Sequence, residues 1–209
     1  MTGERAAPAH WRRLEWPPWS IALEPVGASD AALVTRALTD EIARWIGFET
    51  VERLAAGTPA WAAEAAELAR DGHAFRYLVE REGRFAGTIE LRPDAVRGHI
   101  GYWLRRPERG RGTATLANRL LLPLAFEALA LPAVDWVADA RNSASIAVFG
   151  RLGATKVAEY PASGVGGRES EVRYRLARRA FVQTEGGPCS VDELLSSIPR
   201  SRRRRRARS

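Results

Sequence analysis

The stretch Arg109-Gly110-Arg111-Gly112-Thr113-Ala114-Thr115 combines residue types at a spacing that suits phosphate chemistry. It lies between a strand-like run at 99–104 and a helix-like run at 115–130. Two glycines one residue apart let a backbone turn tightly and approach a ligand closely. A helix starting there aims free N–H groups and the positive end of its dipole at one point, an arrangement that fits a phosphate or pyrophosphate. His99 opens the strand-like run, and an imidazole is matched to proton removal near neutrality. Glu90 lies on the strand candidate before it. Both residues read equally as ordinary strand side chains. His10 and His73 have no partner at ligand spacing, and Cys189 is the single cysteine, so the sequence predicts no zinc site and no internal disulfide.

The elements that must position these groups follow from periodicity and punctuation. Residues 20–25 read as a short strand. Ser29-Asp30 offers a helix cap ahead of Leu33, Leu38, Ile42, Trp45 and Ile46, and Gly47 is a stop. Thr58-Pro59 reads as a cap with proline in the first helical position of a helix over 60–70. Residues 74–80, 85–91 and 99–104 read as an antiparallel meander. Pro123 should kink the helix that follows the glycine turn. Residues 134–138 are a strand, Asn142-Ser143 caps a helix ending at Gly153, and 155–160 and 171–176 are the last strands. Trp45, Trp61, Trp103 and Trp136 fall at core spacing. Residues 1–19, with three prolines and with Trp11, Trp16 and Trp19, read as an irregular arm packing its indoles on the body.

Composition bounds the rest. The chain has 209 residues, 45% of them hydrophobic, enough for one well-buried domain with a tail. The net charge is +7, yet residues 178–209 hold nine arginines and three acids, so the body is near neutral at +1. The basicity belongs to a tail at 178–209, with a Glu185-Gly186-Gly187-Pro188 linker, that reads as disordered. The most apolar region, 116–134, is interrupted by Asn118, Arg119, Pro123, Glu127 and Pro132, and no apolar signal core follows Met1. The sequence therefore reads as soluble and cytoplasmic, with no membrane partner.

In its order of strand, two helices, three strands, glycine turn, helix, strand, helix and two strands, the chain resembles the GNAT superfamily of acyl-CoA-dependent N-acetyltransferases. Ile100-Gly101-Tyr102-Trp103-Leu104, then Pro107-Glu108-Arg109-Gly110-Arg111-Gly112 and Ala114-Thr115, is most similar to the RimJ/RimL-like branch. So is 139–153, with Asn142, Ala144-Ser145 and Leu152-Gly153-Ala154. The resemblance covers roughly 20–177 and implies an α/β (α+β) fold. Its mixed, mostly antiparallel sheet has about six to seven strands flanked by about four helices, with a splayed central strand pair. It implies transfer of an acetyl group from acetyl-CoA, as co-substrate, to a primary amine by direct attack in a ternary complex. The acceptor is a protein N-terminus or a small-molecule amine. The thioester is already activated, so no metal is required.

The same resemblance distributes roles. Backbone N–H groups from Arg109 through Gly110, Arg111, Gly112, Thr113 and Ala114 to Thr115 would cradle the CoA pyrophosphate, with the Thr113 and Thr115 hydroxyls and the Arg109 and Arg111 charges as added donors. Backbone at Tyr102, Trp103 and Leu104 would pair with the pantetheine arm in the gap beside the strand at 134–138. Asn142 matches a position that contacts that arm, and it serves equally as a helix cap. Ser145 would donate to the departing thiolate or is a structural serine. Some relatives use a tyrosine further along this helix, where Phe149 stands here. His99 takes the place of a glutamate that many relatives use as general base, with Glu90 as the second candidate and water-mediated proton removal as a third option. Trp45 or Trp61 would line the acceptor cleft. A reading of another class is a non-catalytic acyl-CoA-binding domain whose arginine tail docks on nucleic acid or an acidic protein, weakening steeply with salt. Monomer and homodimer both stay open.

Overall fold

The computed structural model describes residues 11–16, 20–162, 164 and 167–183. Among these described residues eight strands are present: β1 (Leu14–Trp16), β2 (Ile21–Pro25), β3 (Phe75–Arg81), β4 (Arg84–Pro93), β5 (Gly98–Leu104), β6 (Ala133–Asp139), β7 (Thr155–Pro161) and β8 (Ser170–Ala177). Seven α-helices accompany them: α1 (Ala31–Ala37), α2 (Asp40–Ile46), α3 (Val51–Ala63), α4 (Ala65–Arg70), α5 (Thr113–Pro123), α6 (Ser143–Arg151) and α7 (Arg178–Gln183). The strands form one sheet in the order β1-β2-β3-β4-β5-β6-β8-β7. All neighbours are antiparallel except β5 and β6, which the α5 crossover makes parallel. That pair is joined at two positions, Gly98 with Val134 and His99 with Asp135. Beyond them β5 runs on to Leu104 and β6 to Asp139 without pairing, so the sheet parts into a V.

Register sorts side chains onto two faces, since paired residues share a face and neighbours along a strand alternate. One face carries the row Arg76, Glu90 and Gly101 across β3, β4 and β5, and the row Arg92, His99, Asp135 and Arg175 across β4, β5, β6 and β8. The other carries Tyr77, Ile89 and Tyr102, with Leu91, Ile100, Val134 and Trp136. Its members Tyr77, Ile89, Leu91, Val134 and Trp136 are all but sealed from solvent among Leu116, Leu121 and Phe126. Burying each such aliphatic or aromatic side chain contributes about 1.5–3 kcal/mol. Chemistry-bearing groups therefore lie on one face at the foot of the V, and the apolar core lies on the other.

Several elements differ from what periodicity suggests. The helical run from Ser29 breaks at Leu38, whose backbone is extended. It gives a 3₁₀ turn and α1, then α2 capped by Thr39, whose hydroxyl accepts from Ile42 N at 3.3 Å. Thr58-Pro59 is not a helix start. Thr50 caps α3, accepting from Arg53 N at 3.2 Å, and Thr58 lies buried inside the helix with its hydroxyl donating to Leu54 O at 3.0 Å. A Thr-Pro pair satisfies the local statistics of a cap, but the helix starts a further two turns upstream. Pro123 ends α5 in a π-helical turn, with Leu129 N donating to Leu124 O at 3.0 Å, so the chain widens at the proline. The arm at 1–19 is partly regular: Leu14–Trp16 forms an edge strand on β2, and Trp11 is buried in the core. Trp19 lies outside the described residues. Residues 178–183 form α7 rather than opening a tail, and Phe181 packs tilted against Phe126 with ring centroids 4.8 Å apart. Residues 184–209, with the linker and the arginine run, lie outside the described residues.

Candidate active site

A cleft of about 1070 Å³ runs along the V and takes in the glycine turn, the open edge of β5, the first turn of α6, and α2 and α3. At its phosphate end Gly110 has φ +67° and Gly112 has φ +81°, left-handed values that glycine adopts without strain. Gly112 is the N-cap residue of α5, and a Cβ built on it would meet nothing within 4 Å, so the turn presents open backbone. The flanking side chains hold this shape. Arg81 donates to Arg111 O at 3.0 Å and to Thr113 Oγ1 at 2.9 Å. Arg109 pairs with Glu41 at 2.5 Å and donates to Leu104 O at 2.9 Å. Arg111 pairs with Glu108 at 3.1 Å and approaches Glu82 at 3.4 Å. Both arginines and Thr113 thus brace the turn through protein contacts, and Thr115 is buried. The turn's contribution to an anion is its backbone and the helix dipole.

Close approach of β4 and β5 depends on Gly87, where a Cβ would lie 2.1 Å from Trp103 O. At the foot of the V, Asp135 is fully buried between Arg175, at 2.6 and 2.8 Å, and Arg97, at 3.1 Å. Burial alone would push its carboxyl up, but the hydrogen bonds from Arg175 and Arg97 outweigh burial and hold it below the usual range. Asp135 thereby ties β5's approach loop and β8 to β6 where the two central strands part.

His99 sits beside Asp135 in register, and its Nε2 lies 2.9 Å from Asp94 Oδ2. Asp94 Oδ1 accepts from Val96 N at 2.7 Å and Arg97 N at 2.8 Å, and these backbone donors, followed by His99, hold the carboxyl down at about 2. An ionised carboxylate only accepts, so a neutral His99 donates from Nε2 and keeps its lone pair on Nδ1. Asp94 was not singled out from sequence. An aspartate after the strand and before Gly98 is a turn signal, and turn chemistry hides its contact with His99. Glu90 lies on the same face, but its oxygens already accept from Arg76 Nε at 2.8 Å and Trp61 Nε1 at 3.0 Å, and it is ion-paired with Arg92 Nε at 3.0 Å. It anchors α3 to the sheet.

On α6, Asn142 Oδ1 accepts from Ser145 N at 3.1 Å, the helix-cap role. Ser145 lines the cleft beside the Tyr102 hydroxyl, which is buried and forms no complete hydrogen bond with any described residue. Burial pushes that phenol up to about 12, with Ser145 as the one opposing influence. Tyr102, expected to act through its backbone, thus also brings a hydroxyl to the gap. Phe149 is buried against Trp136 and Tyr174. Trp103 packs edge-on against Phe85, and Leu104 is buried. Trp45, Phe48 and Trp61 line the opposite wall. Among the described residues no group of three or more His, Cys, Asp or Glu side chains could hold a metal, and no helix is long and apolar enough to cross a membrane.

A sheet parted beside a glycine-capped helix start is the architecture of an acyl-carrier-dependent transferase. A family model described as acetyltransferase (GNAT) domain matches residues 20–155, and the chain belongs to that family of N-acetyltransferases, which acetylate amines from acetyl-CoA. Among solved structures, it is similar to a probable acetyltransferase at 26% identity, with TM-score 0.64 over 77% of this chain and 94% of that one. Mycobacterium smegmatis RimJ in complex with CoA-disulfide is 22% identical, with TM-score 0.67 over 82% of this chain and 92% of that one. RimL, a ribosomal L7/L12 α-N-protein acetyltransferase in complex with coenzyme A, is 18% identical, with TM-score 0.68 over 77% and 96%.

Proposed function

We propose that this enzyme acetylates a primary amine by direct attack within a ternary complex, with His99 as general base. The parting of β5 from β6 after two paired positions, next to a glycine-capped helix start, carries this reading. The residues present fit CoA: open backbone at Gly112, an unpaired strand edge from Ile100 onward, and an orphan Tyr102 hydroxyl in the gap. Backbone from Arg109 to Thr115 holds the pyrophosphate, the edge at Tyr102, Trp103 and Leu104 orients the pantetheine arm, and Asn142 borders it. Acetyl-CoA, when bound, supplies the activated acetyl group. His99 Nδ1 takes a proton from the amine, and Asp94 holds the imidazolium that results. Ser145 Oγ, with Tyr102 Oη beside it, holds a proton where sulfur departs.

The need for a base depends on the acceptor. A lysine-type amine must give up its proton at a cost of about 5 kcal/mol at neutral pH, an α-amine at about 1–1.4 kcal/mol. A base able to act near neutrality serves both, and relatives such as RimL support a protein N-terminus as acceptor. Calorimetry with acetyl-CoA and CoA-thiol release across an amine panel test the proposal. Micromolar binding and turnover of at least one primary amine are expected. Absence of binding at millimolar acetyl-CoA removes it.

A further inference from the structure

The cleft's charges are unevenly committed. Its lining carries four carboxylates and seven guanidiniums. Each carboxylate is already paired with an arginine of the chain: Glu41 with Arg109, Glu108 with Arg111, Glu90 with Arg76 and Arg92, and Asp135 with Arg97 and Arg175. Among the described residues no lining acid is left unpaired to neutralise a second ammonium group. Taking one into the cleft would strip its hydration without an opposing charge. On the acceptor side Arg76 is held by Glu90 and by Trp61 O at 2.5 Å, and Arg168 by Glu171 at 2.5 Å and by Trp45 O.

Arg92 differs. Among the described residues its only recorded partner is Glu90, through Nε, and its side chain is 62% exposed. It stands directly opposite His99 across β4 and β5, so the two side chains leave the same face of the sheet side by side. A guanidinium that lines the cleft beside the proposed base and is ion-paired only through Nε matches a planar anion.

We propose that the acceptor is an amine carrying a carboxylate close to the reacting nitrogen and no second cationic group, and that Arg92 reads that carboxylate. This rests on the reading of His99 and the V as the reaction centre. The carboxylate has two sources, the α-carboxylate of a free amino acid or an acidic side chain near a peptide N-terminus. The test measures kcat/KM at saturating acetyl-CoA for free amino acids, for peptide amides starting with Asp or Glu, for the same peptides starting with Asn or Gln, and for spermidine. Acetyl-CoA binding is followed separately by calorimetry. One of the two acidic groups should exceed the neutral peptides and spermidine by about tenfold or more, mostly through KM. Which one leads identifies the source. Arg92→Gln should bring that ratio close to one while acetyl-CoA affinity holds, and Arg92→Lys should keep part of it. Equal use of neutral peptides, efficient use of spermidine, a preference that survives Arg92→Gln, or no turnover by an enzyme that binds acetyl-CoA overturns the inference and leaves the carrier site standing. Loss of acetyl-CoA binding takes both down.

Discussion

At the scale of single residues, the proposed base His99 is held by a partner in a turn. Asp94 is ionised at any working pH because two backbone N–H groups and His99 hold it down at about 2, so it accepts from His99 Nε2 and fixes the imidazole tautomer. His99→Ala should lower kcat/KM by about 100-fold or more for a lysine-type amine near neutral pH. The loss should shrink as pH rises toward the acceptor's own pKa, where the amine no longer needs help. Initial rates from pH 6 to 10 give the ratio of mutant to wild type, and a ratio that stays flat argues for proton removal by water. Asp94→Asn leaves the ring but lets the tautomer reverse, so its profile should follow that of His99→Ala at smaller depth. Tyr102→Phe removes one buried hydroxyl that has no complete hydrogen bond to replace. It should leave thermal stability within about 1 kcal/mol while slowing single-turnover acetyl transfer. An unchanged rate would return Tyr102 to a purely backbone role. His99 could be singled out from the sequence as a candidate because an imidazole before Ile100-Gly101-Tyr102-Trp103 has a chemical meaning on its own. Its partner, the saturation of Glu90 and the Tyr102–Ser145 proximity could not, since each depends on which strand lies next to which.

Elements explain what the sequence could and could not convey. Strands β3 to β5 and the glycine turn were readable because period-2 alternation and paired glycines are local signals. The break at Leu38, the early start of α3 and the strand made by Leu14–Trp16 were not, since tertiary packing decides them. Asn118 stood out only as a polar interruption of an apolar run. In the fold it is fully buried, accepts from Trp136 Nε1 at 2.8 Å and donates to Ala114 O at 2.8 Å, locking the first turn of α5 onto β6. The glycine turn is therefore held from three sides, by Arg81, by Asn118 and by its own ion pairs. Gly112→Glu places a carboxylate and a strained left-handed residue where backbone meets an anion. It should weaken acetyl-CoA binding by at least about 100-fold in calorimetry, close to 3 kcal/mol. Asp135 does comparable work at the foot of the V. Its carboxyl is held below its unfolded range, so its contribution is fully present above about pH 4 and disappears as pH falls through the lower folded value. Asp135→Asn strips Arg97 and Arg175 of their partner and should cost about 3–5 kcal/mol at neutral pH. The variant's stability should also vary less than the wild type's below pH 4, as chemical denaturation at pH 3 and pH 7 will read. Parallel pH curves for the two proteins would remove Asp135 from the acid response.

Across the whole molecule, the charge divides at a boundary that composition places slightly early. The body carries a net charge of +1 and nine arginines follow from position 178, so a cut at 178 looks natural on charge alone. Packing moves it. Arg178 N donates to Pro132 O at 2.9 Å, continuing β8 into α7, and Phe181 covers Phe126 at 4.8 Å beneath the π turn that Pro123 imposes. Phe126 is fully buried, so removing α7 opens the core on the side away from the cleft. Deleting 184–209 should leave the melting temperature and acetyl-CoA affinity within error, because the contacts that dock α7, Arg178 N to Pro132 O and Phe181 to Phe126, stay in place. Deleting 178–209 should cost about 2–3 kcal/mol from the lost burial of Phe181 and its neighbours, about 4–12 °C in melting temperature for a domain of this size. Affinity for acetyl-CoA should be little changed wherever the protein stays folded. Equal melting temperatures for the two truncations would mean that α7 contributes nothing to the fold. If the arginine run has a polyanionic partner, both truncations should lose it equally, with binding by the intact chain falling steeply between low and physiological salt. Retention of nucleic acid by the shorter deletion would place that affinity on the near-neutral body instead.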